Sequence, residues 1–394
     1  MKYKNLEKIW YQDKEIYEQT YKNRFGSEQS VIFDFKIAGF PAFFTYTGEI
    51  TQLINKIHIL DKKLKKLSEE LPEQALEQFT LTSLVDEINF TNEIEGVAST
   101  RKEILNLVEI INNKEKSKDR LFGLVMKYFL LKEEDINISS SCDVKKIYDE
   151  LVLEEVKLSD PEDVPDGIYF RKRSVYVQNS RQEIIHTGVI GEENIIDMMD
   201  KTLNILNSEE IPNLISISIA HYMIGYIHPY YDGNGRLNRF VSSKYLVKEL
   251  DNLIGYGLSY VIKQNKKKYD KSFALVNDKK NRGDLTPFII TFLEFILEVE
   301  NYNMENISTR LDRWQYYVKK MKIEDGKSKK DIMLKSLLTN SLFGIEGMSL
   351  ADIEKITGIG NSTIRKYLNE LDKDMLRVQR DGRINRYDIN LEYY

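Results

Sequence analysis

Hydrophobic positions recur along most of this chain at helical spacing. From Ile50 to Leu71 the residues Leu53, Ile54, Ile57, Leu60, Leu64 and Leu67 fall three and four apart, with lysines and glutamates between them. That pattern predicts an amphipathic helix. Thr80–Ile111 reads as helix, turn, helix. Gly96 stands where the first should end, and Ser99-Thr100 can cap the second ahead of Glu103. Leu121–Leu131, Asp143–Leu153, Glu192–Asn207, Pro212–Ile227, Asn238–Leu250 and Thr286–Val299 carry further helical patterns. The last opens with a Thr cap and Pro at the first helical position. Alternation is rarer. Ser30–Thr47 alternates around Gly39-Phe40-Pro41 and predicts a strand or an ordered loop. After the loop Asp160–Gly167, Tyr169–Ile185 alternates in part and predicts a short hairpin with Gln178–Arg181 near its tip.

Composition supports a mainly α fold. Only 7 prolines and 20 glycines interrupt 394 residues, and that length suggests two or three domains. One cysteine, Cys142, excludes a disulfide framework and a cysteine-based zinc site. The net charge of −5 argues against a dominant nucleic-acid-binding surface. Met1–Gln19 mixes Lys, Glu and Asp without the apolar run of a secretory signal. The longest apolar stretches are interrupted by His221, His228, Glu294 and Glu298, too often for a membrane span. A cytoplasmic protein with no membrane partner is the expectation.

One segment carries chemistry: His228-Pro229-Tyr230-Tyr231-Asp232-Gly233-Asn234-Gly235-Arg236-Leu237-Asn238-Arg239. Pro229 ends a helix, because the residue before proline is pushed out of the helical region. Gly233-Asn234-Gly235 can turn successive backbone N–H groups toward one point, an anion nest at the start of the next helix. Arg236 and Arg239 stand three apart at that start, the end where the helix dipole disfavours cations. They make sense there if a polyanion such as a triphosphate fills the space, since guanidinium forks match phosphate. Asp232 supplies a carboxylate for a phosphate-bound Mg²⁺. His228, as a neutral imidazole, can take a proton from an attacking hydroxyl. Each part alone reads more readily as a turn, a surface histidine or a solvated arginine pair; the conjunction in twelve residues is what points to a site.

This string resembles the signature of the Fic family, His-x-Phe-x-(Asp/Glu)-Gly-Asn-Gly-Arg-x-x-Arg, with Tyr230 in place of the Phe. Tyr can anchor the loop as Phe does if its hydroxyl reaches a partner or solvent. The resemblance implies a helical Fic core and transfer of AMP from ATP to a hydroxyl side chain (Ser, Thr or Tyr) of a target protein. It implies His228 as general base, Asp232 for Mg²⁺, Gly233, Asn234, Gly235 and Arg236 for the phosphates, and Arg239 for the γ-phosphate. Thr91-Asn92-Glu93-Ile94-Glu95-Gly96 is similar to the family's inhibitory-helix pattern, (Ser/Thr)-x-x-x-Glu-(Gly/Asn). By that resemblance Glu95 pairs with Arg239 and blocks the γ-phosphate. The hairpin at 170–188 lies where the family has its target-binding flap; the alternative for Arg171, Lys172 and Arg173 is a solvated edge. Tyr269 matches one tyrosine of a downstream Tyr-Tyr segment, with Asp270 replacing the second. That leaves an adenine contact or core packing for its ring.

Residues 331–394 form their own pattern. Ile332–Leu342 predicts a helix, Ser349 caps Leu350–Thr357, and Ser362 caps Thr363–Leu371. Leu376–Gln379 and Asn385–Ile389 predict a hairpin around Asp381-Gly382 with a type I′ turn. The order resembles a winged helix-turn-helix, for which DNA or a protein or dimer partner are both open. The expected division is an N-terminal helical extension at 1–84, a Fic-like core at 85–300, a helical linker at 301–330 and the winged module at 331–394, with a boundary at Glu324–Lys330. Two other functions fit the sequence. One is a DNA-binding regulator whose Fic site only senses nucleotide. The other is a Fic enzyme that removes AMP or uses another donor. A homodimer regulating the inhibitory helix is consistent with either.

Overall fold

The computed structural model describes residues 3–133, 137–178, 184–324 and 328–394. These fold mainly as α-helix, with three two-stranded antiparallel hairpins among the described residues. Two compact units divide the chain: residues 1–61 with 85–300, and residues 62–84 with 301–394. No described helix is long and apolar enough to cross a membrane.

The first unit is built around two helices buried on nearly every face. Asn213–Ile227 (NLISISIAHYMIGYI) buries Leu214 through Ile224 without a break. A helix apolar all round belongs in a core rather than on a surface. Its neighbour, Asn234–Glu249, buries Arg236 through Leu246, polar residues included. It begins at Asn234, four residues before the predicted Asn238. Gly233 takes φ +77 and lets the chain enter the helix directly from the loop.

Ser30–Ile37 and Phe40–Thr45 resolve the alternating segment into a hairpin, paired Ser30 to Thr45 and Ile37 to Phe40. Ala38 and Gly39 both adopt positive φ, the requirement of a tight hairpin turn. Thr100 forms the predicted capping box with Glu103, and Gly96 ends the preceding helix in the left-handed region.

The helix predicted at Thr286–Val299 runs on to Lys320. No proline or glycine interrupts it, and breakers, not loss of apolar spacing, end helices.

In the second unit Ser328 caps Lys329–Phe343, and Ser349 forms a capping box with Asp352 ahead of Leu350–Thr357. The third helix is Asn361–Glu370, capped by Gly360 rather than Ser362. Leu376–Asp381 pairs with Ile384–Ile389, and Met348 adds a bridge to Tyr387. The first strand runs two residues further than predicted and the second begins one earlier, so Gly382-Arg383 forms the turn. Gly382 has φ +59 and Arg383 does not take positive φ, which corrects the expected type I′ to a turn with glycine in the first central position. Of the expected boundary at Glu324–Lys330, residues 325–327 lie outside the described residues.

Candidate active site

The site begins where the helix Asn213–Ile227 stops. Pro229 cannot continue the helix, and His228 turns left-handed at φ 52°, ψ 63° while its N–H still bonds Ile224. The loop is then pinned from inside. The Asn234 side chain accepts from the Tyr230 N–H at 2.9 Å and donates to the Tyr230 carbonyl at 2.8 Å. What Asn234 can offer an anion is therefore its backbone N–H, one of the helix's first donors with no intrahelical acceptor.

Tyr230 is fully buried, stacked on Tyr148 with ring centroids 3.5 Å apart and edge-on to Phe170 at 5.5 Å. Its hydroxyl finds neither solvent nor a hydrogen-bond partner among the described residues. The condition set for a Tyr at this position is therefore not met, and the ring, not the oxygen, anchors the loop.

The two motif arginines diverge. Arg239 donates from Nε to the Thr91 hydroxyl at 2.7 Å, and from Nη2 to the Thr91 carbonyl at 3.1 Å and to Glu95 Oε1 at 2.7 Å. Thr91 is fully buried and Glu95 stands one turn on, so one helix end supplies three acceptors. Burial pushes the Glu95 carboxyl up, but the Arg239 charge beside it prevails and holds it below the usual range, ionised. A methyl group on Gly235 would overlap the Glu95 carboxylate, so the acid lies directly over the glycine at the helix start. Arg236 instead pairs with Glu155 at 2.6 Å, with Asp232 Oδ2 at 3.6 Å. Its Nε and Nη2 are buried and donate to no hydrogen-bond acceptor among the described residues. Asp232 also accepts the Gly233 N–H at 2.5 Å.

A cleft of about 240 Å³ is lined by His228, Asn234, Gly235, Arg239, Glu95 and Tyr269, with Val177, Ile185 and His186 of the neighbouring hairpin. Asp232, Gly233 and Arg236 do not line it. The volume falls just below the roughly 300–1,000 Å³ of small-molecule sites. His228 is held well down, to about 4, first by burial, with His186 and Arg171 acting in the same direction and the Gly225 carbonyl and then Glu95 opposing. It is neutral at ordinary pH. Tyr269 places its hydroxyl 2.8 Å from His221 Nε2, and Ser242 contacts the other ring nitrogen at 2.7 Å. Its ring both packs in the core and faces the cleft.

The hairpin expected at 170–188 is Tyr176–Gln178 paired with Ile184–Thr187; the tip expected at Gln178–Arg181 lies, from 179 on, outside the described residues. Tyr176, Ile184 and Ile185 are exposed on it.

Sequence reasoning missed two buried charges. Glu155 sits among Leu151, Val152 and Val156, and an acid on such an apolar helical stripe was the available signal. Arg171 is completely buried, not a solvated edge. No described cluster of three or more His, Cys, Asp or Glu could hold a metal.

Residues 140–246 match the family model described as Fic/DOC family. The chain is 31% identical over 127 residues to a protein from Drosophila erecta named protein adenylyltransferase Fic, covering 32% of this chain and 22% of that one. It is 27% identical over 259 residues to the protein of the same name from Drosophila mojavensis, covering 62% and 46%. The chain thus spans less than half the length of these curated relatives. The crystal structure of a Fic family protein from Desulfovibrio desulfuricans G20 superposes with a TM-score of 0.53 at 20% identity, over 88% of this chain and 98% of that one. That likeness is one of fold. The motif at 228–239 thus lies within the segment, residues 140–246, that matches the Fic/DOC family model as a Fic domain.

Proposed function

We propose that this chain transfers AMP from ATP to a hydroxyl side chain of a target protein, and that Glu95 restrains it by occupying Arg239. The observation that carries the reading is the ionised Glu95 carboxylate 2.7 Å from Arg239, lying over Gly235 at an open helix N-terminus. A carboxylate there stands where a phosphate would otherwise be drawn by the guanidinium and the free N–H groups.

In the reaction, His228 takes the proton of the attacking hydroxyl. The new bond forms at the α-phosphorus as the bond to the β-phosphate oxygen breaks and pyrophosphate leaves. His228 is neutral, and therefore able to accept, across the physiological range. The N–H groups of Asn234, Gly235 and Arg236 and the two guanidiniums hold phosphate oxygens. Catalysis of this kind rests on positioning and charge stabilisation. Asp232 presents a single carboxylate, its side chain 39% exposed. One carboxylate suits Mg²⁺ that arrives on phosphate rather than in a protein cage. Asp232 would hold that ion, which would neutralise charge on the phosphates.

The test is labelling of lysate proteins with α-labelled ATP. Glu95→Gly should raise labelling about tenfold or more, as expected when a competing contact of 1–3 kcal/mol is removed. His228→Ala in that background should abolish it. Equal silence of wild type and Glu95→Gly overturns the reading. Other labelled nucleotides and an AMP-modified target, run in parallel, separate a different donor or the reverse reaction.

A further inference from the structure

Arg171 is among the largest fully buried side chains of the molecule. No carboxylate lies within ion-pair distance of it among the described residues. A buried cation normally demands such a partner or a full set of acceptors. Here the acceptors are all backbone carbonyls. Nε donates to His228 at 2.9 Å, Nη2 to Val189 at 2.9 Å and Ile227 at 3.4 Å, and Nη1 to Arg173 at 2.7 Å. The Arg171 N–H also bonds the Pro229 carbonyl at 3.1 Å.

These carbonyls have something in common. Ile227 and His228 end the helix Asn213–Ile227, where the dipole favours a cation and carbonyls lack intrahelical partners. Arg173 and Val189 are the outgoing and returning roots of the hairpin that lines the cleft, and the Val189 N–H bonds Ile227 as well. Gly188 completes the fit: a methyl group there would overlap Arg171 Nη2 and come 3.1 Å from His228 Cβ.

We infer that Arg171 is a positioning residue. Its guanidinium fixes the left-handed backbone of His228 and ties that residue to both roots of the hairpin, so the base and the surface beside it move as one piece. The titratable and charged groups facing His228 are Arg171, His186 and Glu95, and the Arg171 charge also favours the neutral imidazole. The kinetic part of this inference rests on the AMP-transfer reading; the structural part does not.

The test uses the full chain, with and without Glu95→Gly, carrying Arg171→Met, Arg171→Lys or Gly188→Ala. The chain has only 4 histidines, so the His228 ring can be titrated by NMR. Arg171→Met should raise the His228 pKa by about one unit, the size of a nearby charge's effect. It should lower the rate of AMP transfer about 10²-fold, the scale of a misplaced catalytic group, while ATP affinity measured by calorimetry stays unchanged. Arg171→Lys should restore the pKa but not the rate, because a point charge cannot bridge four carbonyls. Gly188→Ala, which keeps the arginine but crowds it, should lower the rate in the same direction and covers the case in which Arg171→Met does not fold. A folded Arg171→Met protein with unchanged His228 titration and unchanged transfer overturns the inference. So does loss of ATP affinity in step with rate. If even Glu95→Gly transfers nothing, the AMP-transfer reading falls, and the His228 titration still decides the part played by Arg171.

Discussion

Two arginine–glutamate pairs in this molecule look alike on distance and differ in everything else. Arg236 and Glu155, in the first unit, stand 2.6 Å apart with side chains 0% and 8% exposed. Arg377 and Glu392, in the second, stand 2.9 Å apart at 52% and 84%. In the first pair both ions have lost their water, and each depends on the other. In the second, water and salt do most of the solvating. Distance alone therefore says little about what a pair is worth, and burial decides it. Buried pairs of this kind stabilise little against an apolar replacement of both partners, but cost much when one partner alone is removed.

Breaking the buried pair should give the largest effect. Glu155→Ala leaves the buried guanidinium with no hydrogen-bonded acid and only the longer contact to Asp232 at 3.6 Å, and should lose about 3–5 kcal/mol in urea unfolding. The double variant Glu155→Leu with Arg236→Met removes both charges and should recover most of that loss. If Glu155→Ala is neutral, water reaches Arg236 and the contrast between the units dissolves.

What the sequence revealed and what it hid follow the same line. The loop, its glycines, Pro229, the Gly96 end and the Thr100 cap were all legible, because their chemistry is local: each acts on backbone within a few residues. Thr91 and Glu95 were legible only through resemblance, since Arg239 lies 144 residues beyond Glu95. Glu155 and Arg171 were not legible. Glu155's partner lies 81 residues away and Arg171's contact with His228 spans 57, and a lone Glu or a run Arg171-Lys172-Arg173 reads as solvated surface by default. The Thr286 helix runs on to Lys320 through most of the stretch expected to be a helical linker, so what the sequence hid there was only that the two are one element.

A second contrast lies in titration. Glu87 is fully buried, accepts the Ser259 N–H at 2.9 Å and its hydroxyl at 2.5 Å, and is pushed up to about 7 by burial. Its folded value exceeds its ordinary 4.5, so it favours the fold below 4.5 and loses that contribution as pH rises through 7. His221 and His228, lowered to about 3 and about 4, act in the other direction, losing stability as pH falls below 6.5. Glu87→Gln keeps an acceptor for Ser259 but cannot ionise. Its stability relative to wild type should climb by about 2–3 kcal/mol between pH 4 and pH 8. A pH-independent difference in melting would mean Glu87 is hydrated.

Tyr230 offers a smaller change. Its hydroxyl is buried without a partner, so Tyr230→Phe should raise stability by about 1 kcal/mol and leave the stacking on Tyr148 intact. A lowered melting temperature would show that the oxygen has an acceptor after all.

The smallest effect should come from the exposed pair. Arg377 sits on the outer hairpin strand and also bonds Asn390 at 3.2 Å, so it keeps a partner when the acid is removed. Glu392 gives up its freedom of rotation to hold the contact, which offsets much of the attraction. Glu392→Ala should therefore change unfolding free energy by less than about 0.5 kcal/mol, and that small change should shrink further in 1 M salt, where the screening length is about 3 Å. Set beside Glu155→Ala, it makes a matched experiment: the same ions at nearly the same separation, differing in access to water. A loss for Glu392→Ala comparable with that for Glu155→Ala would mean that the pair distance, and not burial, governs these contacts.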